Sequence, residues 1–109
     1  MRLAGWGRVP QASVEAARPE RLAEVVRAVR AGHENGLIAR GGGRSYGDQA
    51  LNDGGGLVLT GRLDRLLAFD PETKLLECEP GVSFADLLEV FLPRGLIAPT
   101  TPGTAFATI

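Results

Sequence analysis

Cysteine is nearly missing from this chain: Cys78 is the only one in 109 residues, which excludes a disulfide framework and a cysteine-rich zinc site. The lone histidine, His33, excludes most histidine-based metal centres as well, so no metal ligand is assigned. Lysine is almost absent. Eleven of the 12 cations are Arg, a preference that follows genome base composition and carries no functional weight here. A net charge of −1 provides neither a basic stripe for nucleic acid nor a basic helix for a membrane surface. No apolar run approaches the roughly 20 residues that cross a bilayer. The opening residues, Met1-Arg2-Leu3-Ala4-Gly5-Trp6-Gly7-Arg8, lack the apolar segment of a signal peptide. The expectation is a soluble, cytoplasmic piece of protein, one modest domain at most.

Glycine is what the chain has in quantity. There are 15, and seven of them (Gly41, Gly42, Gly43, Gly47, Gly54, Gly55 and Gly56) fall between residues 41 and 56. Charge is uneven too. Residues 1–44 hold eight Arg against four Glu, whereas residues 45–109 hold four cations against nine acids. Two differently charged solvated faces account for that split. A sharper reading has Arg40 and Arg44 helping to build an anion site.

Residues 1–18 show no clear period and read as an irregular lead-in, ahead of a single unit over residues 19–109. Pro19 suits a first helical turn, and Leu22, Val25, Val26 and Val29 then fall on one helix face. Gly32 and Gly36 stop that helix. His33 reads as a solvated residue at its end. Leu37-Ile38-Ala39 and Leu57-Val58-Leu59-Thr60 are short apolar runs that predict buried strands. Residues 66–69 and 74–79 flank Asp70-Pro71-Glu72-Thr73 and predict a hairpin around a type I turn. Ser83, with Asp86 three residues on, predicts the capped start of a second helix with Leu87, Leu88, Phe91 and Leu92 on its apolar face. Pro93 and Gly95 end it, and Leu96-Ile97-Ala98 predicts a further strand. The order gives an α/β or α+β fold, a short and partly parallel sheet with flanking helices. Leu22, Val25, Val29, Ile38, Val58, Leu87 and Phe91 are the core candidates. Cys78 reads as a small core residue, and Trp6 as a hydrophobic anchor for the N-terminal segment.

The informative segment is Ala39-Arg40-Gly41-Gly42-Gly43-Arg44-Ser45-Tyr46-Gly47-Asp48, which follows a predicted strand. Three successive glycines can adopt positive φ and carry no Cβ, so their N–H groups can converge on one anion, a phosphate above all. Arg44 offers a planar countercharge, Ser45 a hydroxyl donor, and Tyr46 a ring with a polar tip. The string departs from the dinucleotide fingerprint G-x-G-x-x-G, because Tyr46 stands where the third Gly belongs, and from the Walker A pattern, because no Gly-Lys-Ser/Thr follows. On composition alone, a phosphate nest and a long connector fit equally well. Arg62, outside the loop, is expected to be a bystander. A second segment, Thr100-Thr101-Pro102-Gly103-Thr104, reads as an ordinary turn or a close-approach loop.

The order of these residues resembles that of the FAD-linked oxidases of the vanillyl-alcohol-oxidase type, which carry a PCMH-type FAD-binding domain. Gly5-Trp6-Gly7-Arg8, the glycine string, residues 52–56, Glu79-Pro80-Gly81-Val82 and Thr101-Pro102-Gly103-Thr104 carry the resemblance, which runs from Leu3 to Ile109. It implies the first, small α/β subdomain of such a domain, truncated at its C-terminus and expected to be inactive and to retain FAD poorly alone. It implies that Ala39, Arg40, Gly41, Gly42, Gly43, Arg44, Ser45, Tyr46, Gly47, Asp48 and Gln49 wrap the FAD pyrophosphate, with Tyr46 toward the flavin. It also implies that Gly103, Thr104, Thr108 and Ile109 begin a second FAD-contacting stretch. Relatives with covalent flavin carry His just before the loop Ser. Arg44 holds that place here, so non-covalent FAD is expected. No catalytic residue is identifiable. The implied activity is oxidation of a hydroxyl carbon of a polyol, a sugar or a sugar-phosphate lipid. A non-enzymatic domain that binds a nucleotide or phosphate is the alternative. The partner is expected to be a small-molecule or lipid-linked sugar, and the full-length protein could associate peripherally with a membrane.

Overall fold

The computed structural model describes every residue from Met1 to Ile109. An antiparallel pair, β1 (Arg2–Ala4) and β2 (Gln11–Ser13), opens the chain. Next come β3 (Glu15–Ala17), helix α1 (Leu22–Ala31), β4 (Leu37–Arg40) and β5 (Gly56–Leu59). These three strands form a parallel sheet in the order β3-β5-β4. β5 lies in the middle because its run is apolar throughout, as a strand covered on both faces requires. Leu57 is fully buried and Val58 nearly so, and Leu57 joins Ala12 and Val14 in the core.

The second half is a hairpin followed by a helix. β6 (Leu66–Phe69) and β7 (Leu76–Cys78) pair antiparallel around the expected turn. There the Asp70 Oδ1 accepts the N–H groups of Glu72 at 2.8 Å and Thr73 at 3.3 Å, which holds its carboxyl below the usual carboxylate value. Helix α2 (Phe84–Phe91) starts at the capping box read from the sequence. The Ser83 Oγ accepts the Asp86 N–H at 3.1 Å, while the Asp86 Oδ2 accepts the Ser83 N–H at 2.8 Å. Such a cap contributes about 1 kcal/mol. A short 3-10 turn, Leu92–Arg94, closes the helix before Gly95.

Between the hairpin, α2 and residues 96–109 lies an apolar cavity of about 430 Å³, walled by Phe69, Cys78, Leu87 and Phe91 among others. The Phe69 and Phe91 rings meet there at 4.9 Å between centroids. Cys78 is half-buried in the cavity wall rather than part of the core, and desolvation there pushes its thiol up.

Several expectations need correcting. Residues 1–18 are not irregular: they hold three strands, each only three residues long, too short for alternation to register in the sequence. Pro19 precedes the helix rather than joining its first turn, and Arg21 is the cap. The Glu24 carboxylate reaches back to the N–H groups of Glu20 and Arg21, which keeps it below its ordinary value. Of the core candidates, Leu22 is 73% and Val29 60% exposed, because no element here packs over that face of α1. Residues 96–98 form no strand; they pair with no sheet and line the apolar cavity instead. His33 is half-buried rather than solvated, its Nδ1 accepting the Asn35 N–H at 3.1 Å. No helix is long and apolar enough to cross a membrane.

Candidate functional site

β4 ends at Arg40, and the glycine loop begins at the next residue. Only Gly43 of the triplet has a positive φ, +69°. The other two glycines are required for a different reason. A Cβ on Gly41 would overlap the Thr108 Oγ1, and one on Gly42 would stand 3.0 Å from the Phe106 carbonyl oxygen. Gly41 and Gly42 therefore admit the C-terminal stretch against the loop. The two segments expected to contact FAD are brought together by the fold, at Gly41 and Thr108.

From Gly41 to Ala50 no backbone N–H donates to any acceptor in the protein. Ordered loops pair a good share of their amides internally, since backbone N–H groups are obligatory donors. Here the whole stretch is held from its flanks. The Trp6 N–H donates to the Ser45 carbonyl at 2.9 Å, and a Cβ on Gly5 would stand 2.5 Å from the Gly47 carbonyl oxygen. The loop thus lies between the N-terminal segment and the C-terminal stretch with its own donors uncommitted.

Two arginines were candidates for an anion site, and the structure gives both of them other work. Arg40 is buried, and its guanidinium donates to the carbonyls of Ala4 at 2.6 Å and Ala50 at 3.1 Å. It braces the far end of the loop against β1. Arg44 lies over the Trp6 ring at 4.7 Å, with the Phe106 ring at 5.8 Å. That stacking joins three segments by cation–π attraction. Trp6 is 53% exposed, so it anchors through this guanidinium rather than by insertion into a core.

The remaining expected site residues divide. Ser45, Tyr46, Gly47, Asp48 and Gln49 are exposed along the loop, and Ala39 is exposed on β4. Thr104 turns inward, its Oγ1 accepting the Phe106 N–H at 3.2 Å. Gly103 stands clear of other residues. Ile109 faces the apolar cavity, away from the loop, with its N–H donating to the Val82 carbonyl at 3.0 Å.

Below the triplet opens a cleft of about 310 Å³, lined by Gly41, Gly42, Gly43, Arg40, Arg18, Gly61 and Arg62, with Met1, Leu3 and Leu59. Every strand of the parallel sheet contributes at its carboxyl end: β3 runs into Arg18, β4 into the triplet, and β5 into Gly61 and Arg62. Ligands of open parallel sheets bind at that end. Reading the loop alone passed over Arg18 and made Arg62 a bystander. Arg62 lies just past the predicted strand of residues 57–60, which was the available signal for it; Arg18 follows β3, a strand too short to be read from sequence, so nothing marked it.

The FAD binding domain family matches residues 10–109. The chain belongs to the FAD-binding domain family. Decaprenylphosphoryl-β-D-ribose oxidase of Mycolicibacterium smegmatis is 41% identical over 99% of the chain and 24% of its own length. D-Lactate dehydrogenase of Anaerostipes hadrus is 30% identical over 92% of the chain and 21% of its length. An uncharacterized FAD-linked oxidoreductase of Mycobacterium tuberculosis is also 30% identical, over 92% of the chain and 22% of its length. The chain therefore spans about a quarter or less of these relatives. FAD is the cofactor of this domain, and the site fits it. A pyrophosphate needs several N–H donors close together, and the loop supplies a run of uncommitted amides with no Cβ on three successive residues.

Proposed function

We propose that this chain is the N-terminal FAD-binding portion of a cytoplasmic flavin-dependent oxidoreductase that oxidises a hydroxyl carbon of a polyol, a sugar or a sugar-phosphate lipid. Bound FAD would supply the hydride acceptor. The observation that carries the reading is the run of uncommitted amides from Gly41 to Ala50, standing at the carboxyl end of a parallel sheet. The amides of Gly41, Gly42 and Gly43 would hold the pyrophosphate, while Arg40 and the Arg44–Trp6 stack keep the loop in place. Ser45, Tyr46, Gly47, Asp48 and Gln49 continue the same exposed edge toward the flavin. Thr108 would form the adjoining wall, against Gly41, while Gly103, Thr104 and Ile109 belong to the stretch that carries it, Thr104 and Ile109 lining the apolar cavity. The names of two relatives support a hydroxyl-bearing substrate, since ribose and lactate both carry hydroxyl groups, and only the ribose one falls within the sugar class. The loop and its neighbours bind and orient; no residue of the chain is assigned to the hydride or proton transfer.

The flavin is held without a covalent bond. The one histidine, His33, sits at the end of α1, and no cysteine or histidine lies in the loop. Acid precipitation of the loaded full-length protein is expected to release all of the yellow colour into the supernatant. Flavin retained in the washed pellet and mapped to residues 39–49 would contradict this.

A further inference from the structure

The glycine cleft carries three arginines and no acidic lining residue, yet their guanidinium groups are not equally available. Arg40 is committed to the carbonyls of Ala4 and Ala50. Arg18 touches only the Met1 sulfur, at 3.6 Å, and is otherwise solvated. Arg62 is paired with the Glu20 carboxylate, both side chains being 59% exposed. That carboxylate, not itself part of the lining, is an anion already resting on a guanidinium that lines the cleft. An exposed pair of this kind is worth at most about 1 kcal/mol, and a dianionic group in the cleft would compete well for Arg62.

We infer that Arg62 and Arg18 form the cationic clamp for the diphosphate of the dinucleotide, and that Glu20 holds Arg62 in place until the ligand takes it over. The inference deepens the FAD-binding reading and rests on it. Positive charge comes to the cleft from β3 and β5, while β4 brings the amides, so all three strands converge on one anionic group. Arg44, which lies outside the cleft lining and over Trp6, supplies none of that charge. The Arg65 guanidinium, nearby, is committed to Glu79 at 2.6 Å and to the Glu20 carbonyl at 3.0 Å, so it does not substitute for Arg62.

The test is a titration of full-length apoprotein with FAD and separately with ADP, which shares the diphosphate and lacks the flavin. Flavin fluorescence reads the first and calorimetry the second. Arg62→Ala is expected to weaken both ligands about tenfold or more, the worth of a charge-assisted hydrogen bond. Arg18→Ala is expected to weaken both by a smaller factor. Glu20→Gln, which frees Arg62, is expected to tighten both by about two- to fivefold, and to do nothing when added to Arg62→Ala. The wild-type affinity should also fall more steeply with salt than that of Arg62→Ala. Because Arg18, Glu20 and Arg62 are exposed, their substitution leaves the core intact. If the wild type binds FAD while all three variants match it, the clamp is wrong and the FAD-binding reading survives. If the wild type takes up no FAD at all, the reading beneath it has failed.

Discussion

Gly43→Val is expected to abolish FAD binding by the full-length protein, raising the dissociation constant more than a hundredfold. Two independent effects act at that position. The backbone stands at φ +69°, where a β-branched residue is strained. The new Cβ would also stand 2.6 Å from the Arg40 Nη2, so either the loop moves outward or the guanidinium leaves its carbonyl partners. Each outcome displaces the amides that would meet the pyrophosphate. Gly43→Ala carries the same Cβ without the branch and should lose less. Titration by flavin fluorescence measures the loss, and circular dichroism checks that the variant is folded. A folded Gly43→Val protein that binds FAD like its parent would make the loop a mere connector.

Arg40→Ala ranks second in expected effect. Its guanidinium is buried and provides the charged donor for two carbonyls, Ala4 on β1 and Ala50 at the far end of the loop. Removing it leaves both acceptors short of a partner and opens a void beneath the triplet. The local structure should lose about 2–4 kcal/mol, read as a lower melting temperature together with at least a tenfold loss of FAD affinity. Arg40→Lys should recover little, because one ammonium lacks the planar fork that reaches both carbonyls. An unchanged melting temperature and affinity for Arg40→Ala would show that the brace is dispensable.

The parts of this fold that could be read from sequence are those whose signals are local. The Ser83–Asp86 cap and the Asp70 turn each depend on residues three apart or fewer, and both form as read. The apolar run at β5 is long enough to announce a strand covered on both faces. The three strands of residues 1–18 are too short to announce anything, and the pairing of β3 depends on a partner 41 positions away, as in Ala16 with Leu57. α1 shows the opposite failure. Its stripe of Leu22, Val26 and Val29 is a sound helix signal, but a stripe says nothing about what covers it, and here those side chains are exposed.

The same division runs through the site. The glycine string marks the loop, and its order of residues points to FAD. Sequence could not tell which arginine does what, because a guanidinium's role is set by what folds against it. Arg40 and Arg44, inside the string, are occupied by carbonyls and by Trp6. Arg18 and Arg62, 23 residues before Gly41 and 19 after Gly43, line the cleft because parallel strands bring their carboxyl ends together.

Amide hydrogen exchange on the full-length protein, read residue by residue with and without FAD, tests the central claim most directly. The amides from Gly41 to Ala50 have no acceptor within the protein, so without FAD they should exchange at close to unprotected rates. On loading, exchange at Gly41, Gly42, Gly43 and Arg44 should slow by at least about tenfold, while the hairpin of β6 and β7 stays unchanged. Exchange across the loop that is the same with FAD bound as without it would contradict the account.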